Sequence, residues 1–275
     1  MCGIAGIVDL TGQRHIDRDL LQRMNHALYH RGPDEGGLHI EPGVGFAHRR
    51  LSIIDLSGGQ QPLFNEDGSV VVVFNGEIYN FKDLFLELSA AGHRFRTQCD
   101  TEVIVHAWEE WGEACVERFR GMFAFALWDR NRGSLFLARD RLGVKPLFYA
   151  LLDDGSLLFG SELKSLLAHG GLRRDIDPLA VEEYFALGYV AEPRCIFRQA
   201  RKMPPGHSLL LRRGAPVGEP REYWDLRFTN QSVIGLDEAC HTLVAKLDES
   251  VRLRMISEVP LGAFLSGGVD SSAVV

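Results

Sequence analysis

Met1-Cys2-Gly3-Ile4-Ala5-Gly6-Ile7-Val8-Asp9 opens the chain, and the reading of the fold turns on its second residue. A cell's aminopeptidase removes an initiator Met when the next residue is small. Cys2 would then carry a thiol and a free α-amine on one Cα. A thiol is the strongest side-chain nucleophile near neutrality, though mostly protonated at its ordinary pKa of about 8.5. A terminal amine has a pKa of about 7.7–8.0, so part of it is free base near pH 7. One residue then supplies both a nucleophile and its base. The alternative is a small residue that happens to come second. The segment Cys2–Val8 is short, apolar and closed by Asp9, Thr11 and Gly12, the pattern of a buried strand.

Outward from this strand, Asp17 is placed to cap a helix with the apolar stripe Leu20, Leu21, Met24 and Leu28. Gly and Pro dominate His30-Arg31-Gly32-Pro33-Asp34-Glu35-Gly36-Gly37, which predicts irregular backbone. Val44–His48 and Val70–Asn75 are predicted strands. A helix starts at Asn80 or Lys82, turns Leu84, Phe85, Leu88 and Ala91 to one side, and stops at Gly92. Thr101 is the expected cap of a helix from Glu102 to Trp111, closed by Gly112. Met122–Trp128 and Leu135–Arg139 flank one turn, and Pro146–Leu152 and Leu157–Gly160 flank another, as two hairpins. Glu162–Leu167 is a short helix. Helices and antiparallel strands are segregated, which predicts a layered α+β fold and not βαβ repeats.

The texture changes after Gly170. Pro178 opens a helix to Leu187, as suits a first-turn proline. Pro193–Pro220 is rich in Pro, Gly and Arg, with one strand expected at Ser208–Leu211. The expected division is a first domain over 2–190, a connecting segment over 191–235 and the start of a second domain over 236–275. A helix from Leu236 to about Ile256 would turn Leu243, Leu247, Val251 and Met255 inward. Val259–Leu265 is an expected apolar strand. It runs into Ser266-Gly267-Gly268-Val269-Asp270-Ser271-Ser272.

The totals exclude several classes. A length of 275 residues with 45% hydrophobic and 24% charged residues is ordinary for a soluble globular chain of about two domains. The net charge is −7 and no Lys/Arg run approaches a basic arm, the densest being Arg49-Arg50, Arg173-Arg174 and Arg212-Arg213, which argues weakly against nucleic acid as a partner. The five cysteines, an odd number, lack Cys-x-x-Cys spacing, which argues against both a disulfide framework and a structural zinc site. The start lacks the basic leader of a signal peptide, and no segment reaches the roughly 18 apolar residues of a membrane span. The expected place is the reducing cytoplasm, where a thiol survives.

Several segments bear chemistry. A Ser/Gly-rich loop between strand and helix turns backbone N–H groups toward an anion, and the helix dipole helps. Ser266–Ser272 is therefore a candidate phosphate or pyrophosphate cradle, although an ordinary Gly-rich turn would look similar. It is not a Walker loop, because the chain contains no Gly-Lys-Ser or Gly-Lys-Thr. Asp270 is either a Mg²⁺ ligand on the phosphates or a helix cap. Asn75 and Gly76 are a candidate oxyanion hole, or else a hairpin turn. Arg50 is a solvated strand end or a clamp for a carboxylate. Asp100 is a loop residue, or else it grips an ammonium group.

Taken in order, Met1–Gly6, His30–Asp34, Arg50-Leu51-Ser52-Ile53-Ile54-Asp55, Phe74-Asn75-Gly76-Glu77-Ile78-Tyr79-Asn80, Asp100-Thr101-Glu102, Arg139–Leu147 and Ser266–Ser272 resemble the glutamine-dependent asparagine synthetases. The resemblance covers nearly the whole chain. It implies that Cys2 attacks the side-chain amide of glutamine to form a thioester, its own amine handling the proton. It implies that Asn75 and the Gly76 N–H hold the oxyanion. Arg50 would bind the α-carboxylate, Glu77 and Asp100 the α-ammonium, and Leu51, Ser52, Ile53 and Ile54 would line the pocket. Leu265 would line a nucleotide pocket, with Ser266, Gly267, Gly268, Val269, Asp270, Ser271 and Ser272 on the ATP pyrophosphate and Mg²⁺ arriving with ATP. Aspartate would be adenylated and then aminated. The implied fold is the four-layer αββα N-terminal nucleophile sandwich, followed by the first elements of an α/β ATP-pyrophosphatase domain. A homodimer is among the assemblies the resemblance allows.

Physical chemistry supports the charge pattern independently, because free glutamine is a zwitterion and buried charges left unpaired are costly. Two alternatives remain at this stage. One is a related amidotransferase that feeds another carboxylate acceptor, and the other is a non-catalytic module. The family extends far beyond Val275, so the chain is expected to be a fragment with a folded glutaminase half and a synthetase part that cannot complete a parallel sheet. The tail from Leu236 should then exchange its amide hydrogens quickly.

Overall fold

In the computed structural model, which describes residues 1–12, 14–56, 58–228 and 234–275, alternate apolar residues of the strands bury on two faces at once. The strands in chain order are β1 (Gly3–Asp9), β2 (Glu35–Glu41), β3 (Val44–Arg50), β4 (Leu63–Phe64), β5 (Val70–Ile78) and β6 (Gly121–Asp129). They continue with β7 (Ser134–Arg139), β8 (Phe148–Leu151), β9 (Ser156–Gly160), β10 (Ala200–Lys202), β11 (His207–Arg212) and β12 (Arg221–Glu222). One sheet has the order β10-β8-β9-β1-β3-β2, the other β12-β11-β7-β6-β5-β4, and the paired strands are antiparallel.

The helices are α1 (Arg18–His26), α2 (Phe81–Ala90), α3 (Asp100–Trp111), α4 (Cys115–Arg118), α5 (Leu163–Leu167), α6 (Pro178–Leu187), α7 (Leu236–Arg254) and α8 (Val269–Val274). Ile4, Val8, Phe46, Val71, Val73, Ala126 and Trp128 fill the space between the sheets. Ala5, Ile7 and Ala47, the neighbours of that row on the first sheet, pack outward on Leu21 and Met24 of α1 and Leu166 of α5. Val70, Val72 and Phe74 of the second sheet pack outward on Leu84 and Leu88 of α2 and Val103 and Ala107 of α3. The result is the expected α+β sandwich in four layers, αββα. Its order follows from the two-residue period of a strand whose faces are both covered.

Local signals account for most of the boundaries. The Asp17 carboxylate accepts from the N–H groups of Asp19 and Leu20, and Asp177 caps α6 behind Pro178. Gly112 closes α3 with φ +58°. The α3 cap itself is Cys99, whose thiol accepts from the Thr101 N–H; Thr101 lies inside the helix. Glu35, Gly36 and Gly37, expected to be irregular, form the start of β2, because cross-strand pairing with Arg50, Arg49 and His48 outweighs glycine's flexibility. At Gly37 a Cβ would lie 1.8 Å from the Gln61 carbonyl oxygen, so glycine is what lets that backbone come close. The stretch 191–235, read as a connection, carries β10, β11 and β12, which extend both sheets.

The tail departs furthest from expectation. Val259–Leu265 is not a strand, and Phe264 is fully exposed. An apolar strand of a parallel sheet needs neighbours, and this one has none among the described residues. On α7, Leu247 and Val251 are half-buried while Leu243 and Met255 are exposed, so its expected inner face is only partly covered.

Candidate active site

The row that fills the sandwich changes character at one end. Cys2 continues Ile4 and Val8 on β1, and Arg50 continues Val44 and Phe46 on β3. Asn75 and Glu77 continue Val71 and Val73 on β5, and Met122 continues Ala124 and Ala126 on β6. The two-residue period therefore aims all of them between the sheets. They surround a cavity of about 170 Å³ that Leu51, Ile53, Ile54, Gly76, Asp100 and Lys145 also line. Of the expected pocket residues, Ser52 lies outside this lining; its N–H donates to Asp34 at 2.9 Å.

Cys2 is anchored through its backbone, since Arg31 Nε donates to the Cys2 carbonyl at 2.8 Å. Its Sγ accepts from the Leu51 N–H at 3.4 Å and faces the Leu51 carbonyl oxygen at 3.7 Å. Burial pushes the thiol up, so it stays protonated until a base takes the proton. Burial also lowers the pKa of the terminal amine, here that of Met1, and so favours its free-base form.

Arg50 is only 4% exposed. Its guanidinium donates to the Asp55 carbonyl at 2.6 Å and the Ile54 carbonyl at 3.3 Å, and pairs with Glu35 at 3.2 Å. Two carbonyls thus fix the direction of the fork at the cavity wall. Asp100, the first residue of α3, accepts from the Ile78 N–H at 2.9 Å. Burial nevertheless lifts Asp100 to about 6. Burial and the neighbouring Asp100 lift Glu77 to about 7. Two carboxylates in one dry wall are poised to charge when a cation arrives.

Asn75 is 1% exposed, and neither its Oδ1 nor its Nδ2 has a hydrogen-bond partner among the described residues. It lies inside β5, paired opposite Ala124, and not in a hairpin turn. An unsatisfied buried amide costs about 1–3 kcal/mol, so this side chain adds nothing to the fold through hydrogen bonds to the described residues. Beside it, a Cβ on Gly76 would meet the Met122 carbonyl oxygen at 2.3 Å. Glycine is there because β6 is close.

Sequence reasoning gave Lys145 no role, yet it lines the cavity, and burial lowers its pKa against the opposing pull of Glu77. Asp140 latches its loop by accepting from the Lys145 N–H at 2.9 Å and the Phe123 N–H at 3.1 Å. The compact Arg139–Pro146 run of Gly, Pro and charges was the available signal. Gln61 was also missed; it holds the far wall by accepting from the Phe74 N–H at 2.6 Å and donating to Thr101 at 3.3 Å.

Leu265 and Ser266–Ser272 lie apart from this cavity. They are exposed except for a half-buried Ser271, whose hydroxyl meets that of Ser266 at 2.9 Å. Gly268 caps the short α8, so Asp270 is in its first turn and is not its cap. Asp270 belongs to no cluster of three potential metal ligands among the described residues.

The four layers, with two antiparallel sheets inside, are the α+β sandwich of the N-terminal nucleophile hydrolase fold. Solved relatives share the architecture. A glutamine phosphoribosylpyrophosphate amidotransferase from B. subtilis complexed with ADP and GMP matches at TM-score 0.58 and 18% identity, over 81% of this chain and 49% of that one. An allosteric regulatory enzyme of purine biosynthesis matches at 0.54 and 20%, over 77% and 47%. Residues 1–224 match the glutamine amidotransferase domain and residues 242–275 match asparagine synthase. The chain belongs to the glutamine amidotransferase domain family.

The chain is 39% identical over 278 residues to asparagine synthetase (glutamine-hydrolyzing) 3 of Bacillus subtilis (strain 168), covering 100% of this chain and 44% of the relative. It is 41% identical over 286 residues to synthetase 2 of the same organism, covering 100% and 38%. With asparagine synthetase (glutamine-hydrolyzing) 2 of Arabidopsis thaliana the identity is 36% over 274 residues, covering 100% and 42%. The chain spans less than half the length of these relatives.

Proposed function

We propose that this chain carries the glutaminase half of a glutamine-hydrolysing asparagine synthetase. The observation that carries the reading is Asn75, a buried amide with both polar atoms unpartnered in the cavity that holds Cys2. Removal of Met1 frees the Cys2 amine, which takes the Sγ proton. Sγ then attacks the side-chain carbonyl carbon of glutamine. Asn75 Nδ2 and the Gly76 N–H donate to the oxyanion, the electrostatic term that usually contributes most in acyl transfer. The amine passes its proton to the amide nitrogen, ammonia leaves, and a thioester remains. Water, giving a proton to the same amine, then releases glutamate and restores the thiol.

Recognition follows the charges. Arg50 takes the α-carboxylate and Glu77 with Asp100 takes the α-ammonium, while Leu51, Ile53 and Ile54 pack the methylenes. In the same reading Ser266–Ser272, with Leu265 beside it, grips the pyrophosphate of ATP, and Mg²⁺ comes with the nucleotide, near Asp270. Aspartate adenylation and its amination belong to lengths of the relatives that this chain does not span. The setting is the cytoplasm.

The purified 275-residue chain should release glutamate from glutamine, and Cys2→Ala should abolish this. Intact mass after an electrophilic glutamine analogue reports Met1 loss and Cys2 labelling together. A retained Met1 with no adduct removes the amine from the mechanism. Asparagine made from ATP and aspartate by this chain alone overturns the division of labour.

A further inference from the structure

We infer that Glu66, His93 and His106, with Glu109 beside them, form a structural zinc site on the outer helical layer, from the convergence of their side chains. Glu66, His93 and His106 are the one group of three His, Cys, Asp or Glu among the described residues whose ligand atoms all lie within 4.8 Å of one another. Glu66 comes from the turn between β4 and β5, His93 follows Gly92 at the end of α2, and His106 and Glu109 are one turn apart on α3.

Three of the spacings fall near those around the ion. With zinc–ligand distances of 2.0–2.2 Å, the edges of a tetrahedron are about 3.3–3.6 Å. His106 Nδ1 lies 3.2 Å from Glu109 Oε2 and 3.7 Å from Glu66 Oε2. His93 Nδ1 lies 3.7 Å from the same Glu109 oxygen.

The outer contacts are those of a metal-binding histidine. Such a histidine ligates through one ring nitrogen and gives the other to a carboxylate, which fixes its orientation. Here each Nδ1 points inward and His93 Nε2 faces Glu110 at 3.3 Å; His106 Nε2 has no hydrogen-bond partner among the described residues, with Glu102 Oε1 3.6 Å away. The carboxylates are divided in the same way. Glu66 accepts from the Arg94 N–H at 2.9 Å through Oε1 and keeps Oε2 inward; Glu109 accepts from Asn65 at 2.6 Å through Oε1 and keeps Oε2 inward. His106 is fully buried against the Phe95 ring, whereas Glu66 and His93 are half-buried, which gives the ion a way in.

The site would staple three separate stretches of chain. It also borders the glutamine pocket through Glu102, which accepts from the Arg96 N–H and Thr97 N–H at 2.7 Å each and so sets the loop that leads to Cys99 and Asp100. The inference does not depend on glutamine hydrolysis.

The test uses the full chain as Cys2→Ala/Cys240→Ala, because free thiols also bind zinc. Equilibrium dialysis against zinc alone should find one ion per chain, with the melting temperature raised by about 5 °C at hundredfold excess over Kd. His93→Ala in the same background should lose the ion and the shift while keeping its far-ultraviolet circular dichroism. His106→Ala puts a buried site at risk, so His93→Ala is the deciding variant. No zinc on the background protein, or equal binding by His93→Ala, overturns the proposal.

Discussion

Ile78 donates its backbone N–H to the Asp100 carboxylate at 2.9 Å, tying the last residue of β5 to the first residue of α3. That link holds Asp100 beside Glu77, and the pair is lifted to about 6 and about 7. An ammonium group is attracted only by the ionised forms. The KM for glutamine should therefore be flat above about pH 7.5 and rise about tenfold toward pH 5.5, as protons compete with the ligand. Steady-state glutaminase assays across this range separate KM from the thiol's own effect on kcat. A KM that stays constant over the range removes the pair from ammonium binding.

The same lift affects stability. A carboxyl raised from 4.5 to about 7 by folding contributes stability that is complete below about pH 4.5 and lost as the pH rises through 7. At pH 8 the ionised Glu77 is therefore a burden on the empty protein. Glu77→Gln should stabilise it there by about 2 kcal/mol and give no gain at pH 4.5, while weakening glutamine binding. Urea unfolding at the two pH values decides this; equal gains at both would assign the effect to packing.

Much of this site was legible because strands alternate. Once Val70–Asn75 and Cys2–Val8 are read as strands, Cys2 and Asn75 share the parity of the residues that fill the sandwich. The charges proposed to bind a zwitterion were legible as residue types, Arg50 and Glu77 at strand ends and Asp100 at the start of a helix. Lys145 and Gln61 were not, because their places depend on loops folding back through the Asp140 and Thr101 contacts, which leave no period in the sequence. β2 was hidden because two glycines masked a pairing that only β3 supplies. Val259–Leu265 misled for the opposite reason: its composition suits a strand, but strand structure needs partners, and composition does not supply them.

Asn75 separates stability from function. Its unpartnered amide costs the fold, so Asn75→Ala should leave stability unchanged or improve it by about 1 kcal/mol. In the proposed mechanism the same change removes one oxyanion donor, so it should lower kcat by about 10²–10³. Thermal melts and kcat measured on one preparation make the comparison. A large loss of stability would mean that the amide serves the core.

Gly76 should tolerate nothing larger. A Cβ there would lie 2.3 Å from the Met122 carbonyl oxygen and 2.7 Å from the Phe123 Cα, both backbone atoms that cannot rotate away. Gly76→Ala should separate β5 from β6 locally, at a cost of about 2–3 kcal/mol, and abolish glutaminase activity. Gly68, which has open space at its Cβ position, serves as the comparison, although its φ of +74° adds strain of its own. Hydrogen exchange should accelerate at Ala124, which pairs with Asn75 of β5, in Gly76→Ala and remain slow there in Gly68→Ala. Unchanged protection in both would show that the strands adjust without parting.

Glu258 tests whether the tail reaches the pocket. Its N–H donates to the Ile53 carbonyl at 3.0 Å, and its carboxylate accepts from the N–H groups of Asp55 at 3.0 Å and Leu56 at 3.3 Å. The segment held in this way includes Ile53 and Ile54 of the cavity wall and the two carbonyls that orient Arg50. Glu258→Ala keeps its own N–H donor but leaves two backbone N–H groups to water, a cost of about 1 kcal/mol at this exposed position. Because Glu258 touches no ligand in the proposed mechanism, the effect should fall on substrate placement. KM for glutamine should rise about three- to fivefold with kcat within twofold, and amide exchange should quicken at Asp55 and Leu56. Glu258→Gln, whose side-chain oxygen still accepts, should recover most of the loss. If Glu258→Ala leaves both KM and exchange unchanged, the glutamine pocket is set by the sandwich alone, and the tail rests on it without consequence.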